Sequence, residues 1–338
     1  MPELIDNLLG EALTIRKKGN RTRNLVAVAN RVSRGVPEVM VKVSGFGKGA
    51  GHVQSHLTYI SRHGKVELET ESGEILDGKD AVVEYFAEWQ EKMEQGVRHK
   101  KQRDTMHLVL SMPAHVDEES VRRATRDFAA ETFGKNHRYL FALHTDTSNP
   151  HCHITVLCQG RDGRRLDPKK ADLQAWRETF AEKIREQGHE AEATSRRARG
   201  VVRKSIKAVI KHIESGDKTH KPRVSRVRAL QMEDAAKELV HGKKQHSWEK
   251  HIEIRQKSIR MSWMAAATEL EKQGTSESIT SRQIRQMVDN MPPVKTEREV
   301  LIEELQLRFR RSPEKDRMAH FPAKEISSSQ KKEQDRER

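Results

Sequence analysis

Residues 138–156 read RYLFALHTDTSNPHCHITV, two apolar runs around a cluster of turn-forming residues. Side chains two apart on a strand point the same way, so His151 and His153 share one face and Cys152 takes the other. RYLFALHTD is strand-like too, and Thr147, Ser148, Asn149 and Pro150 supply the turn. Closing this hairpin with a four-residue loop predicts Asp146 opposite His151 and His144 opposite His153, and directly opposed residues project to one face. Three imidazoles and one carboxylate should then converge. A register slip of one residue would turn His144 to the far side.

Three neutral imidazoles leave a divalent ion its full charge and open positions for a substrate oxygen, which suits a phosphodiester. His144, His151 and His153 are therefore candidate metal ligands. Asp146 is a candidate partner that accepts a histidine N–H and fixes its tautomer. A histidine pair alone would read as polar surface, and it is the matched phase of His144 and Asp146 that points to a site. Cys152 and Cys158 fall on the opposite face and read as small core residues.

The chain has 338 residues, 34% hydrophobic and only 4% aromatic, enough for one sizeable core plus an extended polar region. A net charge of +14 calls for a polyanionic partner, nucleic acid or an anionic membrane surface. Two cysteines cannot build a disulfide framework and favour a reducing compartment. No apolar run approaches membrane-spanning length, and MPELIDNLLG carries acidic groups where a signal peptide carries basic ones. The expectation is a cytoplasmic protein without membrane insertion.

EVMVKVSG, ending at Gly45, alternates like a strand, and glycines 45, 47, 49 and 51 lead into a helix holding HVQSHLTYISRHG. His52, His56, Tyr59 and His63 would line one face of it, with Gly64 as the stop. Val82, Phe86, Trp89 and Met93 mark a second helix, and MHLVLSMP a buried strand. Asp117 caps a third helix carrying Val121, Ala124 and Phe128, and Leu173, Trp176, Phe180 and Ile184 mark a fourth. Elements alternating without a long parallel-sheet pattern predict an α+β domain of two layers with a mainly antiparallel central sheet and flanking helices. Composition changes near residue 194, which divides the chain into a basic extension (1–37), the α+β domain (38–205), a helical basic region (206–313) and a charged tail (314–338) too poor in apolar groups to fold alone.

Phosphodiester chemistry at such a site needs a nucleophile. Tyr59 is the candidate among three tyrosines, because it follows a strand and a glycine-rich turn and has Arg62 and Lys65 beside it. A phenol with a pKa of about 10 needs a nearby cation or base to attack at neutral pH. Tyr85 and Tyr139 lie in apolar segments and read as packing residues.

Three stretches in this order resemble the conjugative relaxases of the HUH nuclease superfamily, MOBP type, the branch that includes the T-DNA border-nicking relaxase. HLTYISRHGKVELE (56–69) is similar to the first motif of the family, HLVLSMPAH (107–115) to the second and HTDTSNPHCHITV (144–156) to the third, with SRRARG (195–200) resembling the segment that follows. The likeness covers about residues 38–205. It implies that Tyr59 is the nicking residue, that Ser111 contacts the phosphate, that His144, His151 and His153 hold magnesium or manganese with Asp146 beside them, and that Arg62 and Lys65 face DNA. Imidazole ligation would also suit zinc. One departure is Leu157, standing where many relatives carry an asparagine.

The resemblance further implies single-stranded and duplex DNA at a plasmid transfer origin as substrate, a 5′-phosphotyrosine link, and passage to the recipient cell on the DNA. Relaxosome accessory proteins, a coupling ATPase and a type IV secretion system would be partners, and KKEQDRER resembles charged C-terminal secretion signals. A rolling-circle replication initiator of the same superfamily would use the same chemistry. A non-enzymatic DNA-binding accessory protein would explain the charge without the histidines, and a hydrolytic metallonuclease would keep the metal but leave no protein on the DNA.

Overall fold

The computed structural model describes residues 25–94, 99, 102–196, 198–201, 206–216, 219–242, 247–272 and 275–311. The basic stretch KKGNRTRN and the charged tail lie outside them. Its strands are β1 (Met40–Gly47), β2 (Leu68–Thr70), β3 (Ile75–Leu76), β4 (Thr105–Ser111), β5 (Tyr139–His144) and β6 (His151–Leu157). They form one sheet in the order β1-β4-β6-β5-β2-β3, with every pairing antiparallel. β1 continues past Gly45 to Gly47 through a bulge between Val43 and Gly45.

Strand parity assigns the two faces. Met106, Leu108, Leu110, Tyr139, Phe141, Cys152, Ile154 and Val156 point to one side, where α4 (Glu118–Thr132) and α5 (Lys170–Glu186) cover them with Phe128, Phe133, Trp176, Phe180 and Ile184. Burying a side chain of this size contributes roughly 1.5–3 kcal/mol. Asp117 caps α4 by accepting the Ser120 N–H at 2.8 Å. Leu68, Leu140, Ala142 and Leu157 point to the other side, against Val53, Leu57 and Ile60 of α2 (Ala50–Ile60) and Val82, Phe86 and Trp89 of α3 (Gly78–Glu94). The α+β class and antiparallel sheet are as the sequence predicts, and helices on both faces add a third layer. Cys152 and Cys158 are free, buried core residues.

A further helix, α1 (Leu25–Ser33), precedes β1. Its Val28, Ala29 and Val32 enter a separate cluster with Ile259, Trp263, Ala266, Ala267 and Leu270 of α8 (Ser247–Glu271) and Ile284 and Val288 of α9 (Thr275–Asp289). Asn30 Nδ2 donates to Thr280 Oγ1 at 3.1 Å in the same contact. The chain divides into two compact units, one of residues 1–199 and 259–291, the other of 200–258 and 292–338. The second holds α6 (Ala208–Ser215), α7 (Arg226–His241) and α10 (Glu297–Arg311), where Arg228 lies 3.8 Å from Glu297 and Arg298 pairs with Glu238. Among the described residues no helix is long and apolar enough to cross a membrane.

Gly47 sets how closely α2 approaches the sheet. A Cβ there would come within 2.2 Å of Thr105 Oγ1 and 2.7 Å of Val53 Cγ2. Gly47→Ala should therefore cost about 1–3 kcal/mol through overpacking, read as a lower urea midpoint. An unchanged midpoint would mean that the helix does not need this contact.

Candidate active site

The β5–β6 hairpin closes with a longer connection than the sequence suggested. Its register pairs His144 with His151 and Ala142 with His153, two residues away from the expected alignment. A shift of two preserves side-chain parity, so all three imidazoles still share a face. Their ring centroids lie 4.5 Å (His144–His153), 5.2 Å (His151–His153) and 5.4 Å (His144–His151) apart. One ring nitrogen from each falls within 4.8 Å of the others, the spacing of a metal-ligating group.

Hydrogen bonds orient two of these rings for ligation. A carbonyl can only accept, so His144 Nε2 carries the proton it shares with the Ile60 carbonyl at 2.6 Å. Its Nδ1 lone pair is buried and has no hydrogen-bond partner. His151 likewise donates from Nδ1 to the Asn149 carbonyl at 3.1 Å, which leaves Nε2 as its lone-pair nitrogen. Metal-binding histidines characteristically give their second N–H to such a carbonyl. Burial holds the His153 pKa down to about 3 and lowers that of His144, so these two rings stay neutral at pH 7 and keep a lone pair open to a cation. The donor set fits a divalent ion.

Asp146 departs from the predicted arrangement. The longer connection takes it off the strand, and its exposed carboxylate pairs with the Arg62 guanidinium instead of an imidazole. Ser111 lies across from His151 on β4, on the imidazole face, and its hydroxyl donates to the Pro150 carbonyl at 3.1 Å. Lys65 is exposed, and Leu157 is buried beneath α2 and α3.

Helix α2 ends at Ile60, earlier than Gly64 suggested, so His63 leaves the helical face that holds His52, His56 and Tyr59. The His63 N–H reaches back to the Thr58 carbonyl at 2.8 Å and the Arg62 N–H to the Tyr59 carbonyl at 3.1 Å. This paired pattern is a Schellman ending, in which the residue after the cap is usually glycine in the left-handed conformation. Here Arg62 takes that conformation at φ 50° and His63 follows at 61°, each costing roughly 1–2 kcal/mol. Gly64 serves a different need, since a Cβ on it would meet the Lys79 backbone nitrogen at 2.4 Å.

The turn leaves Tyr59 beside the cage. Its ring stands edge-on to His153 at 6.1 Å, the Arg62 guanidinium lies 5.2 Å from its centroid, and 53% of the residue is exposed. Sequence reasoning missed His107, which stacks on His56 with centroids 3.4 Å apart and planes 4° from parallel. Its signal was parity, because residues 107, 109 and 111 share a strand face. Burial first, then neighbouring histidines, lowers the pKa of His56 to about 3 and of His107 to about 4. Both rings are neutral at pH 7, and their stack links α2 to β4.

Residues 59–189 match the relaxase family described as MobA/VirD2-like, nuclease domain. The chain is 29% identical over 191 residues to the T-DNA border endonuclease VirD2 of Rhizobium radiobacter, covering 50% of this chain and 44% of that protein. It is 28% identical over 189 residues to the protein of the same description from Rhizobium rhizogenes, covering 50% and 43%. The chain thus spans less than half the length of these relatives.

Two outcomes check the site. Calorimetric titration with manganese should show one site per chain, and His151→Ala combined with His153→Ala should abolish it; retained binding would place the ion elsewhere. Stability should also fall on acidification. The depressed histidine pKa values mean that the unfolded chain takes up more protons between pH 6.5 and about 3, so their contribution is complete above 6.5 and lost below. His56→Phe should flatten the decline of the urea midpoint across that window without removing it, because His153 shares it.

Proposed function

We propose that this protein is a DNA relaxase that nicks one strand at a plasmid transfer origin by transesterification onto Tyr59. The observation that carries the reading is the half-exposed phenol standing edge-on to an imidazole of a three-histidine group, 6.1 Å from the His153 ring. The phenolic oxygen attacks the scissile phosphorus, the bond from phosphorus to the 3′ oxygen breaks, and the phenol proton is released as the 3′ hydroxyl takes one up. The products are a 5′-phosphotyrosine and a free 3′ hydroxyl. Because one ester replaces another, the hydroxyl can reverse the attack and reclose the strand, which a hydrolytic nuclease could not do.

His144, His151 and His153 would hold the divalent ion, magnesium or manganese in line with the resemblance. When bound, the ion withdraws charge from the non-bridging phosphate oxygens. Ser111, on the same face one strand away, would contact the phosphate, as the resemblance implies. The exposed Lys65 faces the same partner, and a net charge of +14 makes binding fall steeply with salt. The unpaired strand enters the site while flanking duplex DNA is held elsewhere on the basic surface. The helical region beyond residue 205 would dock relaxosome accessory proteins and the coupling ATPase, with the charged tail read by a type IV secretion system.

Mixing the protein with an origin oligonucleotide and manganese should give a covalent band that survives boiling in detergent. Tyr59→Phe should abolish the band, and its persistence would assign the nucleophile elsewhere. Cleavage without a band would identify a hydrolytic nuclease. Deleting residues 314–338 should leave this band intact and lower transfer between cells.

A further inference from the structure

We propose that Arg62 is a positioning residue, kept at a glycine site because its guanidinium fixes the Tyr59 ring against the hairpin that carries the imidazoles. The proposal rests on the relaxase reading for its kinetic consequence and on geometry for the rest. Arg62 occupies the left-handed position of a Schellman ending, at φ 50°. Glycine would adopt it without strain, so backbone geometry gives no reason for a long cationic side chain there. Outliers of this kind concentrate where a side chain is needed for function.

The guanidinium makes two contacts that account for it. It lies 5.2 Å from the Tyr59 centroid, within cation–π range, and it pairs with Asp146. Asp146 sits in the connection between the strands bearing His144 and His151, so the side chain spans from nucleophile to ligand hairpin. The pair is open to solvent, with 33% and 52% of the two side chains exposed, and such pairs add little to folding stability. Tyr59 is itself 53% exposed, and its neighbouring rings, His56 and His153, stand 6.3 and 6.1 Å away. Without the guanidinium the phenol would turn freely about its side-chain torsions. With it, the ring is held facing the cage before substrate arrives, and pre-set orientation is a recognised source of rate.

The test uses the full chain as wild type and with Arg62→Gly, Asp146→Asn and both together. With three tyrosines in the chain, ring resonances of selectively labelled protein are assignable by the loss of one in Tyr59→Phe. Arg62→Gly should leave the thermal midpoint equal to or above wild type, change oligonucleotide affinity without metal by less than about threefold, and slow adduct formation at saturating oligonucleotide by about tenfold or more. It should also move the Tyr59 resonance toward that of a freely turning ring. The double variant should be no slower than Arg62→Gly alone, because the carboxylate acts through the guanidinium. A Tyr59 resonance unmoved by Arg62→Gly overturns the proposal whether or not an adduct forms. Loss of affinity with an unchanged rate at saturation would make Arg62 a DNA contact instead, and a lowered thermal midpoint would make its role structural. Absence of the adduct in wild type would overturn the relaxase reading and leave the ring measurement to decide the positioning role.

Discussion

The 2.6 Å hydrogen bond from His144 Nε2 to the Ile60 carbonyl is the contact on which the rest of the site depends. A helix end leaves its last carbonyls without partners in the helix. One of these meets an imidazole from the adjoining strand. The bond fixes the protonated nitrogen, turns the other toward the ligand group and holds the last turn of α2 to the sheet. Tyr59 immediately precedes the accepting residue, so the same contact sets the distance of its phenol from the imidazole group. Chemistry and packing share one hydrogen bond.

Parity was the most dependable guide in the sequence. Alternation placed His151 and His153 on one side and Cys152 on the other, and both survived a connection longer than expected. The register was less legible, because turn residues mark where a chain reverses without counting the residues between the last pairs. Asp146 shows the cost of that ambiguity: as a strand residue it would have faced an imidazole, and as a loop residue it meets Arg62.

The end of α2 was obscured by a conformation that sequence does not advertise. Gly64 looked like the stop, yet the left-handed turn begins two residues earlier at Arg62, and the glycine is needed for the backbone of Lys79. His107 was hidden for another reason. Within an apolar strand a single histidine resembles a core substitution, and its stacking partner, His56, lies on a different element.

Least visible was the cover of α1, since no local pattern joins residues 28–32 to residues 259–288. That separation bears on how the chain is made. At roughly 5–20 residues per second a ribosome delivers the matching helices on the order of ten to fifty seconds after α1 emerges. Throughout that interval Val28, Ala29 and Val32 have no lasting shelter, while the sheet and its own helices, complete by residue 186, can close before it ends. The newborn protein therefore has an assembled sheet before α1 is seated, and a pause in translation beyond residue 200 would prolong the exposure of that helix to chaperones and proteases.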